Sequence, residues 1–136
     1  MFDWDELRKL AIEAMKTAYA PYSGYPVGAA GITSDGRLVS GCNVENASTG
    51  LGTCAENGMV SALIRSGGGR LAAVYCVNGN EEAVVPCGRC RQVLYEHGGP
   101  QLQVFMPAAG PQPMTYVLPE AFGPNSLEEY RRSQEA

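Results

Sequence analysis

Positive charge is in short supply along this chain. Ten Lys and Arg residues stand against 14 Asp and Glu, a formal net charge of −4 over 136 residues. Holding a nucleic acid rests on cations that neutralise phosphates, so this balance disfavours DNA or RNA and favours a small, weakly charged substrate. No run of about 18 apolar residues occurs, so no segment reads as a membrane-spanning helix. The N-terminal Met1-Phe2-Asp3-Trp4-Asp5 is acidic where a secretion signal needs basic residues and an apolar stretch behind them. A cytoplasmic address is expected. Five cysteines is an odd number for a disulfide framework, and in a reducing compartment they stay free to bind metal. The single histidine, His97, falls at a predicted helix end, where its positive form suits the dipole; it is not read as a ligand.

What is present is the composition of a globular protein, 45% apolar and 18% charged. The length suits one domain, residues 1–136, with one core. Leu7, Leu10, Ala11, Ala14, Met15 and Ala18 recur at helical spacing and predict a helix from about Trp4 to Tyr19, capped by Asp3 with Glu6 and ended by Pro21. Val27 to Ile32 and Leu38 to Cys42 predict a β-hairpin around Ser34-Asp35-Gly36-Arg37. A polar loop from Asn43 to Thr53 precedes a helix from about Ala55 to Ser66, stopped by Gly67-Gly68-Gly69. Leu71 to Val77 is the most apolar strand. A loop from Asn78 to Val85 leads to a helix from about Gly88 to His97, then a strand from Leu102 to Met106. Met114 to Leu118 is read as a fifth strand, and Ser126 with Glu129 as the start of a last helix. Strands separated by helices imply parallel crossovers after the hairpin. The expected fold is α/β: three layers, α/β/α, around a mixed sheet of about five strands.

Two stretches carry more chemistry than a fold needs: Thr53-Cys54-Ala55-Glu56-Asn57 and Val85-Pro86-Cys87-Gly88-Arg89-Cys90-Arg91-Gln92. Thiolates are strong zinc ligands, and a catalytic zinc keeps three protein ligands with one position open. Cys54, Cys87 and Cys90 supply three, and Glu56 the base beside a bound water. Cys87 and Cys90 share one face of a helix. Cys54 and Glu56 stand roughly 200° apart around a helix, so they converge only on a site off its N-terminal tip. Two helix N-termini would then face a centre whose three thiolates leave zinc at a formal charge of −1, an arrangement the helix dipoles favour.

A ligand-x-Glu followed by Pro-Cys-x-x-Cys is the signature of zinc nucleobase deaminases, with His or Cys as first ligand; Cys54-Ala55-Glu56 and Pro86-Cys87-Gly88-Arg89-Cys90 match it. Zinc provides hydroxide at neutral pH, and Glu56 would carry a proton from that water to the ring nitrogen and the leaving ammonia. A structural zinc ribbon usually has four ligands, often in two Cys-x-x-Cys knuckles, and only one knuckle occurs here. A redox pair at Cys87 and Cys90 leaves Cys54-Ala55-Glu56 unexplained. Cys42 and Cys76 fall on strands and read as buried small hydrophobes. Gly58, inside a helix, is costly; with Ala62 it suggests close approach of another helix, in an oligomer a neighbouring subunit's.

At these residues the chain resembles the cytidine deaminase family, in its small homotetrameric branch. Ala20-Pro21-Tyr22-Ser23, Val27-Gly28-Ala29-Ala30, Gly41-Cys42-Asn43-Val44-Glu45-Asn46-Ala47, the two cysteine motifs and Leu118-Pro119-Glu120-Ala121-Phe122 stand in family order along nearly the whole chain. The resemblance implies hydrolytic deamination of cytidine and 2′-deoxycytidine in pyrimidine salvage, with one Zn²⁺ per subunit. It implies that Asn43 and Glu45 hold the ribose 3′-hydroxyl, that Tyr25 packs near the base, and that Ala55 belongs to the substrate pocket. It also implies a homotetramer in which a neighbouring subunit's Phe122 completes that pocket. Three positions depart from the family. Asn57 stands where an Arg often bonds a ligand thiolate, so charge relief falls to the helix dipoles or to Arg89 or Arg91. Thr49 replaces a Tyr that reaches across subunits, and Tyr25 replaces a Phe, adding a hydroxyl. The alternatives are an aminohydrolase for another small heterocycle, such as the blasticidin S type, and a non-enzymatic zinc-stabilised module. An RNA or DNA editor is disfavoured by charge and size.

Overall fold

Val27–Thr33 (β1) is made of small and β-branched residues, which suit a strand buried on both faces. It pairs antiparallel with Leu38–Cys42 (β2) across the predicted hairpin turn, and antiparallel on its other edge with Leu71–Asn78 (β3). β3 pairs parallel with Gln103–Met106 (β4), which pairs antiparallel with Gly110–Pro113 (β5). The computed structural model describes residues 1–135 and holds a five-stranded mixed sheet in the order β2-β1-β3-β4-β5. The expected parallel pairing is confined to β3 and β4, because the chain returns from its second helix to the free edge of β1.

Trp4–Met15 (α1) covers one face of the sheet, burying Leu7, Ala11, Ile12 and Met15 against Ala30, Ala73, Tyr75 and Val77. Tyr75 stacks on Phe105 at 4.5 Å between ring centroids, and Trp4 lies 5.7 Å from Phe105. Ala55–Arg65 (α2) and Gly88–Gly98 (α3) cover the other face through Met59, Val60, Leu63 and Leu94. The three-layer α/β/α arrangement follows. Burial of a Leu or Met contributes about 1.5–3 kcal/mol each, so the α2 stripe of Met59, Val60 and Leu63 fixes which way its N-terminal tip points.

Several boundaries differ from expectation. α1 stops at Met15 rather than Tyr19: the Thr17 hydroxyl donates to the Ala14 carbonyl at 2.7 Å, and the Tyr19 N–H donates to the Asn43 carbonyl at 3.0 Å. Tyr19 thus leaves the helix to join the Asn43 loop. The segment read as a fifth strand is a short helix, Met114–Val117 (α4), and the fifth strand is the proline-bearing segment just before it. Gly110, at φ +70°, makes the turn after β4 tight enough to pair. Pro111 and Pro113 lack N–H groups and are tolerated on an edge strand. The last helix, Pro124–Glu135 (α5), starts at proline, which is favoured at a first helical position. The Ser126 hydroxyl accepts from the Gly123 N–H at 3.3 Å and so is not the expected cap for Glu129.

Gly58 has a contact within its own chain that calls for glycine. A Cβ there would lie 3.3 Å from the Cys42 carbonyl oxygen, and one at Gly41 would lie 2.2 Å from the Met59 nitrogen. The close approach is between α2 and β2 of the same chain. The two glycines let the backbones touch, at a cost in helix propensity of about 1 kcal/mol for Gly58.

Candidate metal centre

The packing of α2 and α3 on one sheet face brings their N-termini together. Cys54 is the N-cap of α2 and Cys87 the N-cap of α3, both in extended backbone conformation. Neither side chain makes a capping hydrogen bond, so both thiols are free to face a common point. Cys90, one turn into α3, faces it too. The three sulfurs lie within 4.8 Å of one another. Sulfurs on a tetrahedral zinc, at about 2.3 Å from it, stand roughly 3.8 Å apart, so a small contraction closes the set. Three soft sulfur donors, with no fourth ligand in the cluster among the described residues, fit a zinc with an open position. All five cysteines are free thiols.

Glu56 sits in the first turn of α2, 4% exposed. Burial raises its pKa above the ordinary carboxylate value, against its own backbone N–H and the thiols of Cys90 and Cys76, which stabilise the anion. Burial likewise raises Cys54 and Cys90, with the nearby Glu56 charge adding to both. Burial also pushes Cys87 up, but the Cys90 backbone N–H and the neighbouring thiols outweigh it, and its pKa falls below the usual thiol value. The cavity in front of these groups has a volume of about 430 Å³. Cys54, Cys87, Cys90, Glu56 and Ala55 line its floor, and Tyr25, Asn43 and Glu45 its rim.

The rim is held by the backbone around it. Asn43 donates through Nδ2 to the Tyr25 carbonyl at 3.0 Å and accepts through Oδ1 from the Val27 N–H at 2.8 Å. Glu45 accepts from the N–H groups of Tyr22 (3.0 Å) and Ser23 (3.1 Å) and from the Ser23 hydroxyl. The extra hydroxyl of Tyr25 meets Asn78 Nδ2 at 3.4 Å. Phe122 is not in this cavity; it is 61% exposed beyond α4, and its carbonyl accepts from Gln92 Nε2 at 2.7 Å. Cys76 is buried as expected, beside Glu56, while Cys42 is only half-buried on the edge strand.

Charge relief is narrower than the sequence allowed. Asn57 Nδ2 donates to Thr53 Oγ1 at 2.9 Å, and Arg91 is fixed on the carbonyls of Pro86 and Val117, both at 2.9 Å. Val84 and Val85 form an apolar wall of the same cavity, and Arg89 also lines it. Their signal in the sequence was weak: two valines before Pro86 read only as the end of a loop.

Residues 3–106 match a family model described as the cytidine and deoxycytidylate deaminase zinc-binding region. A curated cytidine deaminase of Mycobacterium tuberculosis is 52% identical over 130 residues, 96% of this chain and 97% of the relative. The crystal structure of cytidine deaminase from Mycobacterium leprae matches with a TM-score of 0.86 at 57% identity, over 88% of this chain and 100% of that one. That of cytidine deaminase from Burkholderia pseudomallei matches with a TM-score of 0.78 at 40% identity, over 90% and 100%.

Proposed function

The chain belongs to the cytidine and deoxycytidylate deaminase family, and from that premise we propose that its cavity hydrolyses cytidine and 2′-deoxycytidine to the uridines, releasing ammonia. The observation that carries this reading is the convergence of three thiols at two helix tips with a buried carboxyl, Glu56, in the same cavity.

Cys54, Cys87 and Cys90 would hold the zinc. When bound, the zinc supplies a Lewis acid that acidifies a water. Glu56 holds the proton released from that water and delivers it to the ring nitrogen and then to the leaving amine. A carboxyl whose pKa is raised by burial is suited to both steps, because it holds a proton more readily than an ordinary carboxylate and can still return it. Tyr25 and the valine wall at Val84 and Val85 offer apolar surface to the base, and Ala55 lets it lie against the start of α2. Asn43 and Glu45, fixed by their own backbone bonds, present the remaining lone pairs and protons that one sugar hydroxyl requires.

Phe122 lies exposed and outside its own chain's cavity. This supports a homotetramer in which each Phe122 enters a neighbour's pocket. No helix among the described residues is long and apolar enough to cross a membrane. A cytoplasmic place in pyrimidine salvage suits thiols that must stay reduced.

The test is loss of cytidine absorbance on adding zinc-loaded protein, with adenosine, guanosine and blasticidin S as controls. Turnover of cytidine and deoxycytidine alone is expected. Inactivity on both would defeat the reading, and turnover of blasticidin S instead would move it to a sister aminohydrolase.

A further inference from the structure

We propose that the Arg89 guanidinium is the charge partner of the three-thiolate centre and strengthens its hold on zinc. The inference rests on the metal-site reading above. Three thiolates and one Zn²⁺ leave a formal charge of −1 in a recessed site. Of the residues lining that cavity, Arg89 alone is cationic. It lies between two of the three clustered cysteines in the chain, Cys87 and Cys90.

Its position is otherwise unfavourable. Arg89 is the second residue of α3, where the helix dipole disfavours positive charge. The first turn of α3 carries no acidic residue to offset it. Among the described residues the ion pairs are made by Arg37, Arg131 and Arg132. The acidic rim residue Glu45 is committed to Tyr22 and Ser23. A cation placed against the dipole and without a protein partner breaks a local rule, and such breaks mark functional positions. A negative centre held in the same cavity would supply the missing partner. Arg91, the other candidate, is held on two carbonyls and faces away from this task.

The experiment measures zinc affinity of the full chain by competition with a chromogenic chelator, at low and high salt, for the wild type, Arg89→Ala, Arg89→Lys and Cys54→Ser. Arg89→Ala is expected to weaken zinc binding about tenfold at low salt, the lower range for partners just outside a metal's ligand set. The loss should shrink at high salt, where charges are screened over a few ångströms, and Arg89→Lys should retain most of the affinity. Unchanged affinity in Arg89→Ala overturns the proposal. So does a loss that is equal at both salts and equal in Arg89→Lys, which would be packing. A rise in cytidine KM with zinc affinity intact also overturns it and makes Arg89 a substrate contact. If Cys54→Ser binds zinc as tightly as the wild type, the metal-site reading itself falls, and the charge partnership with it.

Discussion

Replacing Gly41 with alanine should disable the site from a position outside it. Gly41 lies on β2 directly beneath α2, and an added methyl would stand 2.2 Å from the Met59 nitrogen, 2.6 Å from the Gly58 carbonyl carbon and 2.7 Å from the Ala55 carbonyl oxygen. All three are backbone atoms, so no side chain can swing aside. Ordinary contact begins at 3.4 Å, so α2 must lift by roughly 1 Å. Overpacking of this kind costs about 1–3 kcal/mol of stability. The functional cost is larger, because the lifted helix carries Cys54 and Glu56 at its tip. A misplacement of about 1 Å at a reacting centre costs on the order of 100-fold in rate. The assay pairs urea unfolding with cytidine turnover at saturating substrate. Gly58→Ala is the internal comparison: its methyl would sit 3.3 Å from the Cys42 carbonyl, a few tenths of an ångström too close, and the gain in helix propensity of about 1 kcal/mol should leave it near neutral. A Gly41→Ala protein that unfolds at the wild-type midpoint and turns over at the wild-type rate would refute the argument. So would one that is destabilised but keeps its kcat, since the helix position would then not be coupled to the chemistry.

The remaining expectations concern single residues of the site. Glu56→Gln should fold and retain zinc while losing about 10²- to 10⁴-fold in kcat, the range for removing a proton-transfer group; metal content and turnover measured on one sample check it. Phe122→Ala should raise the cytidine KM by about 30-fold, as for a central interface anchor worth roughly 2 kcal/mol. Refolding it together with Glu56→Gln should restore part of the lost activity, because mixed assemblies rebuild some intact sites; no recovery on mixing would mean that Phe122 does not act across subunits. Glu45 is held below its ordinary value of 4.5 first by the Ser23 hydroxyl and then by the backbone N–H groups of Ser23 and Tyr22. A depressed carboxyl contributes stability that is fully present above pH 4.5 and lost as pH falls through its lowered value. Amide-exchange protection at Tyr22 and Ser23 should therefore decline in that acid window in the wild type and show no such step in Glu45→Gln.

Periodicity and turn chemistry made most of the scaffold legible. α2 and α3 are found at nearly their expected limits because each begins at a residue that must leave the helix, Cys54 or Cys87, and ends at glycines. The β4–β5 end was misread because Met114-Thr115-Tyr116-Val117 has the β-branched and aromatic content of a strand. In the structure Met114 and Val117 instead point into the core from one helical turn, three residues apart. Gly-Pro-Gln-Pro, a poor strand by propensity, pairs because an edge position asks for no proline N–H. The cluster of Cys54, Cys87 and Cys90 was legible because thiols at that spacing have few other uses. The valine wall and the bonds of Arg91 were not, since both depend on how the 84–91 segment folds back on the sheet. Nor could the sequence say that Gly58 serves β2, because the register that puts Cys42 beneath it is a tertiary fact.

Asn57 shows how the site's demands reach the helix that builds it. A helix start ordinarily gains about 1 kcal/mol from a side chain that caps its free N–H groups. Cys54 occupies that cap, and its thiol makes no capping bond, because its sulfur is turned toward those of Cys87 and Cys90. The first turn of α2 must then be fixed by other means. Asn57 reaches back from that turn to Thr53, the residue just before the cap, at 2.9 Å. The geometry parallels a capping box in which a residue in the third helical position ties the entering chain to the helix, shifted outward by one residue because the cap itself is reserved. An arginine there would add charge but could not close this short bond without folding its long side chain into the turn. Asn57 therefore ties the entry of α2 to its first turn and brings no charge, so on the reading proposed above the direction of Cys54 and the charge of the centre would be set by different residues.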